Sequence, residues 1–296
     1  MTAAATPSKP DTVVLVHGLW MTPLCWENWI TRYEARGYRV FAPAWPGMEG
    51  DIDELRRNPS GIARLTVTEI LDSYEKVIRA LVSPPIIMGH SFGGGFTQVL
   101  LDRGLGAAGV AIDSATVKGV FKLPLSNAPV RLADPQEPRE PPQGSPPDRQ
   151  TVPLRLREHA ERGESAKVYE WYAIPGPGGI LFEGSMVNLP GSALRVDYNK
   201  PDRAPLLFIA GGADHIVPAA VNKSNVKLYR KSKSEAIVDY KEFPGRRTTR
   251  WARTAGRKSP TMPSSGPEKN AGLGAKPVQA RRSEERQAES VGPRRV

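Results

Sequence analysis

The sequence is poor in cysteine and has no long apolar segment. Cys25 is the one cysteine among 296 residues, which excludes a disulfide within the chain and gives no indication of an oxidising compartment. No apolar run approaches the roughly 20 residues that span a bilayer, and the N-terminal residues lack the apolar stretch of a signal peptide. We therefore expect a soluble, cytoplasmic protein with no membrane partner.

Histidine is also scarce, and its positions matter because imidazole is the side chain that most often acts as a base near neutral pH. The chain contains four histidines: His17, His90, His159 and His215. None follows His215, so any base in the C-terminal part of the chain must be of another kind.

Positive charge is concentrated at one end of the chain. The formal net charge is +10, and residues 245–296 carry 13 basic and 4 acidic side chains, a net charge of +9. The rest of the chain is therefore nearly neutral, and no basic surface for nucleic acid is expected there. The tail has no binding motif and no interleaved aromatic residues, so we interpret it as a solvated segment without a specific nucleic-acid partner.

Short apolar runs alternate with amphipathic segments, which is typical of a mostly parallel sheet with helices on both faces. Residues 12–16 are apolar almost throughout, as in a strand buried on both sides. Residues 67–81 place apolar side chains at the spacing of an amphipathic helix that ends before Pro84. The predicted strands are 12–16, 39–42, 86–88, 108–112, 205–210 and 236–243, and the predicted helices are 26–36, 67–81, 92–103 and 219–231.

Two stretches interrupt this pattern. Residues 127–163 include eight prolines and no Phe, Trp or Tyr, and the segment from Gly245 onward is rich in Arg, Gly, Pro and Ser. Neither can bury much apolar surface, so both are predicted to be disordered. The expected organisation is a core in two parts, 1–122 and 201–244, with a cap region at 123–200 between them and a basic tail at 245–296.

A serine stands at the junction of a predicted strand and a predicted helix. Residues 89–93 read Gly-His-Ser-Phe-Gly, which has the form Gly-x-Ser-x-Gly. This is the setting of a nucleophile elbow, a sharp turn that lifts the serine hydroxyl above the sheet. The glycines let strand and helix approach closely, and the free N–H groups at the helix start favour a developing oxyanion. The alternative interpretation is an ordinary strand-to-helix turn.

Three blocks together resemble the α/β-hydrolase superfamily, in its branch of serine esterases and lipases with a lid. Residues 16–20 are similar to the family's His-Gly loop, residues 89–93 to its nucleophile elbow, and residues 208–218 to its acid loop. The blocks occur in the family's order. The resemblance implies an α/β-hydrolase fold over about residues 11–243 and hydrolysis of a small carboxylic ester or similar acyl substrate.

The resemblance also implies roles for individual residues. Ser91 would be the nucleophile, and the backbone N–H groups of Leu19 and Phe92 would form the oxyanion hole. Asp214 would be the acid that orients a catalytic histidine, and Asp113 is a second candidate because some family members place the acid after the preceding strand. A small-molecule substrate would enter under the cap region, and no metal or other cofactor is implied.

The chain departs from the family at the catalytic histidine. The family places this residue just after the last strand, where residues 243–247 read Phe-Pro-Gly-Arg-Arg. His17 and His90 are interpreted as structural, His215 adjoins the acid, and His159 lies in the proline-rich stretch, so none is expected to replace it. We therefore expect impaired activity. The alternative is a catalytically inactive relative that binds a small ligand or a partner.

The final helix of the family has no counterpart in this sequence, so the fold is expected to be incomplete at its C-terminus. Family-like sequence ends abruptly near Gly245, as it does after Ser126, and it returns near Glu164. Such composition is what translation of GC-rich DNA in a shifted frame gives, and we hypothesise two frame disturbances, the first of them compensated. Gene sequencing tests this idea, which fails if no reading phase recovers a histidine codon after Gly245.

Overall fold

The computed structural model describes residues 9–121 and 172–246. The chain divides into two compact units, Met1–Ala255 and Gly256–Val296, and every described residue belongs to the first. The proline-rich stretch 127–163, with His159, and nearly all of the tail lie outside the described residues.

Strands and helices alternate along the described chain. In order they are β1 (Thr12–Val16), α1 (Glu27–Glu34), β2 (Arg39–Phe41), α2 (Ile52–Arg57), α3 (Val67–Arg79), β3 (Ile86–His90), α4 (Phe92–Asp102), β4 (Ala108–Ile112), α5 (Gly178–Ser185), β5 (Leu206–Gly211), α6 (Ala219–Lys231) and β6 (Val238–Phe243). Short 3-10 turns at Pro23–Trp26 and Pro59–Gly61 precede α1 and follow α2. No helix follows β6 before the described residues end at Arg246.

The six described strands form one parallel sheet in the order β2-β1-β3-β4-β5-β6. The predicted parallel sheet of an α/β-hydrolase fold is thereby confirmed. Because β2 and β3 flank β1 on opposite sides, the chain leaves β1 and β3 in opposite directions at their carboxyl ends. Open α/β sheets bind ligands in the crevice at such a reversal of strand order.

Alternate side chains of β1 supply two separate cores, as the two-residue period of a strand requires. Val14 and Val16 are fully buried in a core that also takes side chains from α3, α4, α5 and α6. Val13 and Leu15 are fully buried in a second core, against which α1 packs. Helices therefore cover both faces of the sheet, as predicted.

The start of α3 shows how local sequence sets an element boundary. Thr66 Oγ1 accepts from the Glu69 amide at 3.3 Å, and Glu69 Oε2 accepts from the Thr66 amide at 2.8 Å. This reciprocal capping satisfies two amides that have no partner within the helix. The apolar face predicted from spacing is buried, and the helix ends at Arg79, two residues before the predicted end.

Two helices were not predicted, α2 and α5. The six residues of α2 are too few to show a period, although Asp51 Oδ1 caps the helix by accepting from the amides of Asp53 and Glu54. Helix α5 contains three glycines, which disfavour helix in isolation. Tertiary packing holds it, because Ile180 is fully buried in the core. None of the helices in the described ranges has the length and apolar character needed to cross a membrane.

Candidate active site

Ser91 occupies a strained turn between β3 and α4. Its backbone angles are φ 56° and ψ −121°, outside the regions that residues with a side chain ordinarily adopt. Backbone hydrogen bonds on both sides of the residue hold this conformation. The Ser91 amide donates to Ile112 O at 3.0 Å, and the Ser91 carbonyl accepts from the Gly94 and Ala115 amides at 2.9 Å each. The turn is therefore held at both ends by hydrogen bonds that do not involve the hydroxyl.

The glycines on either side of this turn are required by close backbone contacts. A Cβ atom at Gly89 would lie 2.0 Å from the carbonyl oxygen of Gly93. A Cβ atom at Gly93 would lie 2.1 Å from the carbonyl oxygen of Val16. Both distances are far shorter than any real contact, so the strand, the turn and α4 can approach each other only without side chains at these positions.

The loop after β1 lies directly against the nucleophile turn. A Cβ atom at Gly18 would lie 3.0 Å from Ser91 Cβ, and the next residue, Leu19, is buried. The amides of Leu19 and Phe92 donate no hydrogen bond to any described residue. Two amides that donate to no described residue, beside a serine in a strained turn, have the composition of an oxyanion hole.

Backbone strain is concentrated in the loops that follow β1, β3 and β4. Among the described residues, three non-glycine residues have positive φ: Trp20 at 65°, Ser91 at 56° and Asp113 at 41°. They follow β1, β3 and β4, which are neighbours in the sheet. Strained residues of this kind persist where the surrounding structure supports them and cluster at functional sites.

The two acid candidates lie beside each other rather than at alternative sites. Asp113 Oδ1 accepts from the Gly211 amide at 2.7 Å, which ties it to the end of β5. Asp214 Oδ1 accepts from the amides of Ile216 and Val217 at 2.7 and 3.0 Å. Asp214 Oδ2 is buried and accepts from no N–H or hydroxyl of the described residues, and the Asp113 and Asp214 carboxyls lie within hydrogen-bonding reach of each other.

The contact between the two carboxyls changes their protonation. Burial raises the pKa of both, and the neighbouring charge of Asp113 raises that of Asp214 further. The amide donors oppose these shifts without cancelling them. Because two buried carboxylates in contact resist simultaneous ionisation, the pair retains a proton above the ordinary carboxyl range.

This pair makes the stability of the fold depend on pH. Both carboxyls bind protons more tightly in the folded than in the unfolded chain. The free energy of unfolding therefore falls as the pH rises from about 4 through the raised pKa values of the pair.

Replacing Asp113 by asparagine should relieve the repulsion. Asp113→Asn removes one charge and keeps an oxygen for the Gly211 amide. We expect it to be more stable than the parent at pH 8, by on the order of 1 kcal/mol for each pKa unit removed, and little changed at pH 4, where the pair is protonated in the folded chain and the unfolded carboxyls have begun to protonate. The measurement is the free energy of unfolding in urea at both values of pH.

A matched control separates this effect from a general change in net charge. Asp239 is exposed on β6, and Asp239→Asn removes the same charge without affecting the pair. If Asp113→Asn gains no more stability at pH 8 than this control, the carboxyls do not repel each other as described.

Two of the three described histidines are buried and one is exposed. The buried ring of His17 stacks on Trp45 with the ring centroids 4.7 Å apart. Its Nδ1 atom lies 3.1 Å from Gly18 O, and its Nε2 atom accepts a hydrogen bond from the Trp45 amide. Burial lowers the pKa of His17 to about 4 and that of His90 to about 3, so both rings are neutral. The side chain of His215 is exposed.

The chain that follows β6 runs beside the acid loop. The Gly212 amide donates to Phe243 O at 3.0 Å, and the Ala213 amide donates to Arg246 O at 2.9 Å. Arg246 is thus close in space to the residue that precedes Asp214. This is where the family resemblance places its histidine, and the sequence offers an arginine.

The structure brings the predicted nucleophile, both predicted amides and both acid candidates to the carboxyl ends of β1, β3, β4 and β5, and their roles remain predictions. The contact between Asp113 and Asp214 was not foreseen, because the two residues are far apart in sequence and no local pattern links them. Within residues 9–121 and 172–246, no group of three or more His, Cys, Asp or Glu side chains is placed to hold a metal ion.

Comparison with solved structures finds several hydrolases of similar fold. A monoacylglycerol lipase from Paleococcus ferrophilus is 20% identical, with 81% of this chain and 87% of that chain covered and a TM-score of 0.50. A pyrethroid hydrolase from Sphingobium faniae JZ-2 is 19% identical (82% and 92% covered, TM-score 0.51). A methylesterase from Arabidopsis is 13% identical (81% and 92% covered, TM-score 0.53). At these identities the likeness establishes the fold alone.

The family assignment rests on the sequence. No curated protein was found to match the chain. The profile of the alpha/beta hydrolase family, however, matches residues 13–247, which include every strand of the sheet except the first residue of β1. The chain belongs to the alpha/beta hydrolase family.

Proposed function

We propose that this chain is a serine hydrolase for small esters whose turnover is impaired because no histidine follows its last strand. The observation that carries the proposal is the strained conformation of Ser91, held at both ends by backbone hydrogen bonds, with two amides nearby that donate to no described residue. A strained backbone conformation does not by itself improve packing. The strain at Ser91 is explained if the turn must hold the serine hydroxyl above the edge of the sheet, where a substrate can reach it.

The proposed reaction is acyl transfer to water through Ser91. Oγ attacks the ester carbonyl carbon as a base in solution takes its proton, the carbonyl electron pair moves to oxygen, and the Leu19 and Phe92 amides stabilise the resulting oxyanion. Collapse breaks the bond to the leaving oxygen, which takes up the proton from the same base and departs as the alcohol. Water then attacks the acyl-serine with the same proton transfers and releases the acid and free serine. One such donor is worth about 2.7–4 kcal/mol in a well-studied protease.

The weak point of this reaction is the proton on Ser91. A serine hydroxyl is a poor nucleophile unless a base removes that proton. His17 is occupied by the Gly18 and Trp45 backbone, His90 is buried and neutral, and His215 is exposed beside the acid. In a protease triad, loss of the histidine lowers turnover by about 10⁶-fold, which sets the scale of the impairment.

Asp214 is the favoured acid of the proposed site. Two amides fix Asp214 Oδ1, and Oδ2 is buried and accepts from no N–H or hydroxyl of the described residues. That oxygen is suited to accept from an imidazole N–H. Asp113, in contact with it, would act through Asp214. The described part of the cap, residues 172–200, would border the substrate.

The test is whether added imidazole restores a reaction at Ser91. We expect slow hydrolysis of p-nitrophenyl acetate and slow labelling by a fluorophosphonate, both rising with imidazole concentration by tenfold or more above the Ser91→Ala variant in the same buffer. Intact mass identifies the labelled residue. Equal rates for the parent and Ser91→Ala at every imidazole concentration would refute the proposal.

A second candidate function is a catalytically inactive member of the family that binds a small ligand or partner. The absence of histidine after His215 favours it. The same experiment distinguishes the two functions, because an inactive protein shows no labelling that depends on Ser91, whether or not imidazole is present.

A further inference from the structure

We infer that a segment of the cap, residues 173–185, is a positioning element of the oxyanion hole; this inference rests on the proposed function of Ser91. We call this segment the strap. It contacts the side chain or backbone of Leu19, Trp20 and Phe92, which are the two proposed donors and the strained residue next to one of them.

One contact of the strap fixes the strained turn after β1. The Ile174 amide donates to Trp20 O at 2.9 Å. Trp20 has φ of 65° and directly follows Leu19, so this hydrogen bond holds the loop segment that carries the Leu19 amide. A non-glycine residue in this region is disfavoured by about 1 kcal/mol or more, and it needs such external support to persist.

Two glycines let the strap backbone rest on both donor residues. A Cβ atom at Gly176 would lie 2.8 Å from Trp20 Cδ1 and 3.1 Å from Leu19 Cδ1. A Cβ atom at Gly184 would lie 2.7 Å from Phe92 Cζ. A methyl group at either position would therefore displace the strap or the side chain of Leu19, Trp20 or Phe92 that it touches.

The strap is itself anchored to two helices of the core. Arg56 Nε of α2 donates to Ala173 O at 2.9 Å, and the Val67 amide at the start of α3 donates to Glu183 Oε1 at 3.1 Å. Ile174 and Ile180 are buried between these anchors. Because the strap is held near both ends, we expect extra volume at its inner face to push on the side chains of Leu19, Trp20 and Phe92 and so to shift the backbone amides of the two donor residues.

The experiment compares three glycine-to-alanine variants within the strap. Gly176→Ala and Gly184→Ala add a methyl group against the donor residues, and Gly178→Ala is the matched control because its Cβ would meet nothing within 4 Å. Each full-length variant is labelled with a fluorophosphonate at a fixed imidazole concentration. Labelling over a range of probe concentrations separates the maximal rate at Ser91 from the affinity for the probe.

We expect Gly176→Ala and Gly184→Ala to lower the maximal rate by about tenfold or more, with the probe affinity within twofold of the parent. A fraction of an ångström of misplacement is enough, since loss of one donor costs about 10²–10³ in turnover. Gly178→Ala should match the parent. Thermal unfolding of each variant separates this effect from a loss of folded protein, and the two positions serve as independent tests.

Failure of the strap inference and failure of the proposed function give different results in this experiment. Labelling of Ser91 that is equal in all three variants and the parent overturns the strap inference and leaves the hydrolase proposal standing. An equal loss of the maximal labelling rate in Gly178→Ala also overturns the strap inference, because any alanine in the segment then has the same effect whether or not it contacts a donor residue. No labelling of the parent above Ser91→Ala overturns both.

Discussion

Introducing histidine at Arg246 should raise ester hydrolysis by at least 100-fold. The Ala213 amide donates to Arg246 O at 2.9 Å, which places residue 246 beside the loop that ends at Asp214. Asp214 Oδ2 is buried and accepts from no N–H or hydroxyl of the described residues, so an imidazole that reaches it in place of the shared proton gains an acceptor. In a protease, loss of the triad histidine lowers turnover by about 10⁶-fold. Recovery of a small part of this rate enhancement gives the expected gain.

The same substitution at Arg247 and Thr248 extends this scan along the chain. The measurement is kcat/KM for p-nitrophenyl acetate between pH 5 and 9, and the gain should follow deprotonation of an imidazole near its ordinary pKa of about 6.5. Arg246→Gln is the control for loss of the arginine. The gain should vanish when Ser91→Ala or Asp214→Asn is added.

If none of the three histidine variants exceeds Arg246→Gln, the chain after β6 does not supply the missing group, and Asp214 is not poised to orient it. If a gain survives Ser91→Ala, the introduced imidazole acts directly on the ester, and Ser91 is not the nucleophile.

A second large effect is expected at the glycines of the nucleophile turn. In Gly93→Ala, the new methyl group would lie 2.1 Å from Val16 O and 2.7 Å from His17 O. These are backbone atoms of a central strand and the loop after it, so neither can rotate away. We expect a loss of more than about 4 kcal/mol, a large part of the 5–15 kcal/mol that stabilises a typical domain.

Helix α4 offers a control two residues away. The Cβ atom of Gly95→Ala would meet its nearest neighbour, Ala115 O, at 3.8 Å, an ordinary van der Waals contact. Alanine in a helix interior is favoured over glycine by roughly 0.5–1 kcal/mol, so this variant should be as stable as the parent or more so. Urea unfolding measures both variants, and a Gly93→Ala protein with the midpoint of the parent would show that α4 does not approach β1 as described.

Several features of this fold are determined by local sequence. The apolar run of β1, the spacing in α3 and the Gly-x-Ser-x-Gly sequence each depend on residues close together in the chain, and each prediction of structure agrees with the fold. Helices α2 and α5 were missed for opposite reasons. The first is too short to show a period, and the second is rich in glycine and is held by the burial of Ile180.

The sequence alone determined the alternation of strands and helices, the strand-to-helix junction at Ser91, and the lack of histidine after His215. Tertiary structure alone decided that Asp113 and Asp214 are in contact, that the chain after β6 runs beside the acid loop, and that the strap rests on Leu19, Trp20 and Phe92. The physical reason is the range of the interactions. Periodicity and turn chemistry act between neighbours in the chain, whereas desolvation, charge coupling and close packing act between residues that only the folded sheet brings together.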